Sequence, residues 1–102
     1  SARNPYNNDA IDARATEFGA TFSVYPNPFV DQLSVTFKKD LKGETQLILM
    51  DLAGNMLHRE VRLNPVVGQK VNISPMYSLN PGAYALRILN DNRVYNQTIM
   101  KH

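Results

Sequence analysis

The chain contains no cysteine and no tryptophan. The first absence removes disulfide frameworks, thiolate zinc sites and cysteine nucleophiles together. It does not fix a compartment. Long apolar runs are missing as well. The longest stretch of aliphatic residues and Met is four, Leu47 to Met50, whereas a membrane span needs about 20, so no membrane insertion is expected. The start of the chain lacks the pattern of a secretory signal peptide. Charge of one sign is scarce: 11 Lys and Arg face 9 Asp and Glu, a net +2. That is too little to draw nucleic acid or a membrane surface by charge. Histidine is limited to His58 and His102, too far apart for a zinc site without Cys. Ser34, His58 and Asp51 have no Gly-x-Ser-x-Gly elbow around them, so no nucleophile is supported. The expectation is a protein that is no enzyme and carries no metal or cofactor. Asp9 with Asp12, and Asp91 between Asn90 and Asn92, could touch calcium, but such oxygen-rich groups usually satisfy local backbone in turns.

What the chain has in quantity is turn chemistry. Its 102 residues include 11 Asn, 5 Gly and 6 Pro, more than a mostly helical domain would hold. Apolar residues reach 43%, enough for one small core. Residues 1–20 differ from the rest: they are polar, with a net charge of −1, while residues 21–102 carry +3. Asn8-Asp9 would cap a short helix through Glu17, with Ile11, Ala15 and Phe18 on one face. A partly extended linker fits the same stretch.

From Thr21 the apolar period becomes two, the mark of strands with one buried face. Strands are predicted at 21–25, 33–38, 45–51, 56–63, 69–73, 83–89 and 93–100, with turns between them. One helical turn is predicted at 75–79. About seven strands at this spacing predict an all-β fold, an immunoglobulin-like antiparallel β-sandwich. The expected core is Phe22, Val24, Leu33, Val35, Phe37, Leu47, Leu49, Val71, Ile73, Tyr84, Leu86 and Ile88. Two sequons, at Asn72 and Asn96, fall in predicted strands and read as chance matches. Arg87, Arg93 and Lys101 form a loose basic group, read first as a solvated sheet face and second as a patch for an acidic partner.

Three strings stand out. In Tyr25-Pro26-Asn27-Pro28-Phe29, Pro26 and Pro28 fix two φ angles and hold Tyr25 and Asn27 extended. Asn27 is expected to bond its own backbone across the kink. The string is either a rigid bend with a role of its own or a plain strand terminator. In Met50-Asp51-Leu52-Ala53-Gly54-Asn55, Asp51 can cap the turn and Gly54 can take positive φ. In Leu79-Asn80-Pro81-Gly82-Ala83-Tyr84, Pro81-Gly82 predicts a type II turn that launches a strand.

The order of these strings, with an Asn-Ile-Ser segment before the third and a Lys near the end, resembles the type A C-terminal sorting domain of type IX secretion system cargo. This is the Por secretion system of Bacteroidota. The resemblance covers about Phe22 to Lys101. It departs where Phe29-Val30-Asp31-Gln32 replaces a Gly or Ser-Gly, and where Asn96 to Lys101 holds few Lys. The resemblance implies a secretion signal rather than an enzyme. Its cargo, joined in cis, would pass the periplasm of a Gram-negative bacterium. It would then cross the outer membrane through the type IX translocon and its shuttle components to reach the cell surface or the medium. A cell-surface sortase-like protease would then remove the domain. Residues 1–20 would be the cargo tail with the cleavage region, and 21–102 the sorting domain. Scission is expected within Ala15, Thr16, Glu17, Phe18, Gly19, Ala20, Thr21, Phe22 and Ser23, where small residues adjoin the first strand. The motif positions implied are Pro26, Asn27, Pro28, Asp51, Gly54, Pro81, Gly82, Tyr84, Arg93 and Lys101. Fold and loop shape come first at these positions, with direct translocon contact at the bend and at Lys101. The last strand is expected at a sheet edge, open to strand addition by a partner. The isolated domain is expected to be monomeric, with edge-strand dimerisation as an alternative.

The rival function is an accessory immunoglobulin-like carbohydrate-binding or spacer module. Sugar binding needs a row of exposed aromatic rings, and only Tyr77 and Tyr95 are candidates.

Overall fold

A computed structural model describes residues 11–12, 15–74 and 78–102. Strand β1 (Ile11–Asp12) and helix α1 (Ala15–Thr21) precede β2 (Phe22–Tyr25), β3 (Leu33–Phe37), β4 (Glu44–Met50) and β5 (Met56–Leu63). Then come β6 (Lys70–Ile73), β7 (Gly82–Asn90) and β8 (Arg93–Lys101). They form a five-stranded sheet in the order β1-β8-β7-β4-β5 and a three-stranded sheet in the order β2-β3-β6. All pairings are antiparallel except β1 with β8. The seven expected strands are β2 to β8, and the fold is the all-β sandwich that the period of two requires. The expected helical turn at 75–79 falls largely outside the described residues.

The alternation works because successive strand residues point to opposite faces. Leu33, Val35 and Phe37 on β3 and Val71 and Ile73 on β6 line one side of the core. Leu47, Leu49, Leu86 and Ile88 line the other. Eleven of the twelve expected core residues are buried, and Val24 is partly buried against them. Phe18, Phe29, Tyr95 and Ile99 complete the core. Phe22 is the hub, since its ring centroid lies 5.1 Å from Phe18, 5.4 Å from Phe37 and 4.9 Å from Tyr95. These three partners sit on α1, β3 and β8, so one ring ties the helix to both sheets. Each such aromatic pair adds about 0.5–1.5 kcal/mol beyond burial.

Four details correct the sequence reading. Thr21 does not open the first strand; it closes α1, its hydroxyl donating to the Glu17 carbonyl at 2.8 Å. The helix begins at Ala15, and the expected cap at Asn8-Asp9 lies outside the described residues. Gly82 has φ 143°, far from the roughly +80° of a type II turn, so Pro81-Gly82 is a bend that enters β7 directly. Tyr95 is buried at 5% exposure rather than displayed. Among the described tyrosines only Tyr25 is strongly exposed, so these residues present no row of rings for sugar.

Candidate functional site

The Tyr25–Phe29 string leaves β2 and runs back to the far end of β8. Its Tyr25-Pro26 and Asn27-Pro28 peptide bonds are both cis. Contrary to the expectation from its sequence, Asn27 reaches away from its own backbone. Its Oδ1 accepts the Met100 N–H at 3.1 Å, from a residue 73 positions away. The Phe29 N–H donates to the Met100 carbonyl at 2.8 Å, and the His102 N–H donates to the Phe29 carbonyl at 2.9 Å. Phe29 and Lys101 thus form a parallel bridge. The Phe29 ring is fully buried, 6.4 Å from the Tyr84 ring. Phe29 is the key residue that sequence reasoning missed. The available signal was one large apolar side chain among polar loop residues just after Pro28.

The C-terminal end of β8 is therefore clasped from both sides. β7 pairs along its whole length, with Gly82 opposite Lys101 and Tyr84 opposite Ile99. The Pro-Asn-Pro bend holds the other side. Lys101 faces inward and is 7% exposed, its ammonium donating to the His102 carbonyl at 3.1 Å. The Tyr84 hydroxyl donates to the Asn80 carbonyl at 2.5 Å, which anchors the bend before β7. Pro26, Asn27, Pro28, Pro81, Gly82, Tyr84 and Lys101 thus meet at one end of the sandwich.

The Asp51 turn lies at the same end. Met50 pairs with Ala85 near the start of β7, and the turn then leads into β5. Asp51 Oδ1 accepts the N–H groups of Ala53 and Asn55 at 3.0 and 2.8 Å, and Oδ2 accepts the Asn55 side-chain amide at 2.9 Å. These donors, the Asn55 amide first, hold its carboxyl below the usual range. Gly54 has φ 92°, a left-handed conformation that L side chains avoid. The expected cap and the expected positive φ are both present.

Arg93 stands apart, at the opposite end of β8, where its guanidinium pairs with Glu17 of α1. Residues 15–23 are α1 and the first two residues of β2. Phe18, Thr21 and Phe22 are buried there, and the Lys38 ammonium donates to the Gly19 carbonyl at 2.7 Å. β8 is not a free edge along its whole length. Ile11–Asp12 pairs with Arg93 and Val94, and Phe29 occupies the other end.

On β5, His58, Glu60 and Arg62 lie on the core side of the sheet, across from Leu49, Leu47 and Thr45. The Glu60 carboxylate bonds His58 at 2.6 Å and Arg62 at 3.1 Å. His58 and then Arg62 hold the Glu60 carboxyl below its usual value against partial burial. The cluster braces an edge strand.

A family model described as a secretion system C-terminal sorting domain matches residues 23–102. No curated protein matches the chain.

Proposed function

The chain belongs to the family of secretion system C-terminal sorting domains, and on that premise we propose how it serves as one. It is a type IX secretion signal that carries a protein joined in cis across the outer membrane, to the cell surface or extracellular space. The finer steps are our reading. The cargo passes through the periplasm, the translocon and its shuttle components bind the domain, and a sortase-like protease then removes it.

The observation that supports this reading most is the clasp. The motif strings that carry the family resemblance lie far apart along the chain yet converge on one end of the sandwich. A signal that exists only when Asn27 and Phe29 hold Met100 to His102 is a folded signal. Machinery that reads it would select cargo whose domain has folded. In this reading Lys101 acts inside the clasp, and the exposed rim around Tyr25 to Pro28 makes the contact.

Removal needs a different conformation. A protease cleft takes an extended chain, while residues 15–21 are helical and Phe18 is in the core. Scission within 15–23 therefore follows undocking of α1, a local opening that costs less than global unfolding.

The test is a periplasmic fluorescent reporter fused ahead of the full chain in a type IX-competent cell. Surface fluorescence that disappears when the translocon is deleted supports the reading; retention in the periplasm of competent cells refutes it. Deleting 93–102 is a blunter test, because Tyr95 and Ile99 leave the core with it.

A further inference from the structure

The outer face of the five-stranded sheet is unlike an ordinary solvated face. Antiparallel sheets with one side in water usually alternate apolar-in with polar-out. Here one cross-strand row on the outer face reads Val61, Gln46, Leu89, Val94 across β5, β4, β7 and β8. The neighbouring row reads Arg59, Ile48, Arg87, Asn96. Ile48 is only 7% exposed although it points away from the core, because the two arginines flank it. Val61 and Leu63 remain exposed at the β5 side, and Met100 at the β8 side.

The two arginines are held in a defined way. Arg59 Nε donates to Gln46 Oε1 at 2.9 Å, and Arg87 Nε donates to Asn96 Oδ1 at 3.0 Å. Both acceptors are neutral amides, and among the described residues no carboxylate pairs with either guanidinium, which leaves its terminal nitrogens for a two-pronged contact with a carboxylate. Among the described side chains of β4, β5, β7 and β8 that point outward, Glu44 is the one carboxylate. It stands at the sheet corner opposite Leu63.

We propose that this face docks a protein partner whose surface sets carboxylates among aliphatic side chains, with Arg59 and Arg87 receiving the carboxylates. A second copy of the chain is disfavoured, because stacking the same face on itself brings arginine against arginine around Ile48. An anionic membrane would gain little from two cations, whereas the fixed guanidinium forks suit planar carboxylates. Applied to the sorting reading, on which it rests, this partner belongs to the export machinery.

The experiment uses the reporter fused to the full chain, with R59E and R87E introduced together. The expected result is at least a tenfold loss of surface reporter while the purified variant keeps its melting temperature. Should that pair unfold the domain, R59Q with R87Q, which removes the charge without reversing it, carries the same expectation. Normal export of the folded variant beside normal export of the parent overturns the docking face and leaves the sorting reading standing. Failure of the parent itself overturns the sorting reading, and this inference with it. Co-sedimentation of the purified parent with phosphatidylglycerol vesicles, lost in R59E/R87E, assigns the face to lipid and overturns the protein-partner inference.

Discussion

The two sheets share one core but meet water in different ways. The three-stranded sheet turns Ser23, Ser34, Thr36, Lys70 and Asn72 outward, with Tyr25 at the end of β2 as its exposed ring, and the Ser34 hydroxyl donates to Asn72 Oδ1 at 2.6 Å across β3 and β6. The five-stranded sheet turns Ile48, Met50, Val61, Leu89 and Val94 outward, with two arginines among them. Both inner faces feed the same apolar core, although the larger sheet adds His58, Glu60 and Arg62 at its β5 edge, so that core does not require the outer faces to differ. A polar outer face needs only water, whereas an apolar one gains from being covered. The motif end joins the sheets, because the bend leaves the small sheet and fastens the last strand of the large one.

The largest effect should come from breaking what both sheets share. Phe22→Ala removes the ring that contacts α1, β3 and β8. It is expected to destabilise the domain by about 3–5 kcal/mol, read by chemical denaturation, with loss of export. Phe29→Ala should cost about as much but with a different signature. Met100 to His102 should lose amide protection in hydrogen exchange before the rest of β8 does. Equal loss along the strand would break the distinction between clasp and core.

Asn27→Ala separates the clasp from the core. It leaves the Met100 N–H without its acceptor while the core stays intact, at about 1 kcal/mol. Export should fall more than so small a destabilisation explains, and parallel measurement of melting temperature and surface reporter checks this. The smallest effect is expected on the polar face. Ser34→Ala should change stability by less than about 0.5 kcal/mol and leave export unchanged, in contrast to R59E/R87E on the other sheet.

Acid separates the sheets as well. The Glu60 carboxyl is depressed in the folded state by His58 and Arg62, so its contribution is complete above the ordinary glutamate value. It is lost as pH falls through the lower folded value. Glu60→Gln should flatten the acid limb of the stability profile measured by denaturant titration. An unchanged limb would show that the β5 cluster adds nothing.

Much of this was legible along the chain because its signals are local. Leu33, Val35 and Phe37 alternate, Asp51 sits three residues before Gly54, and Asn90 to Asn92 forms the turn between β7 and β8. Period and turn chemistry act over a few residues, so they placed the strands within a residue or two. Phe29 and Tyr95 are harder to place from the sequence, since each packs on a ring remote in the chain, Tyr84 and Phe22, while Phe18 meets Phe22 only because the helix gives way to β2 between them. Lys101 shares the face of Tyr95 and Ile99 by the period of two, but its charge argues for water, and only the fold shows that it is covered.

A cysteine-free, all-β chain with ordered motif strings can be read from the residues alone, because hydrophobic period and turn residues encode backbone shape directly. Only contacts made in the folded molecule settle that Asn27 and Phe29 grip the end of β8, that α1 runs on to Thr21 and docks Phe18 in the core, and which sheet keeps an apolar face outward. Those outcomes depend on strand order and on contacts between distant residues, and no local pattern contains them.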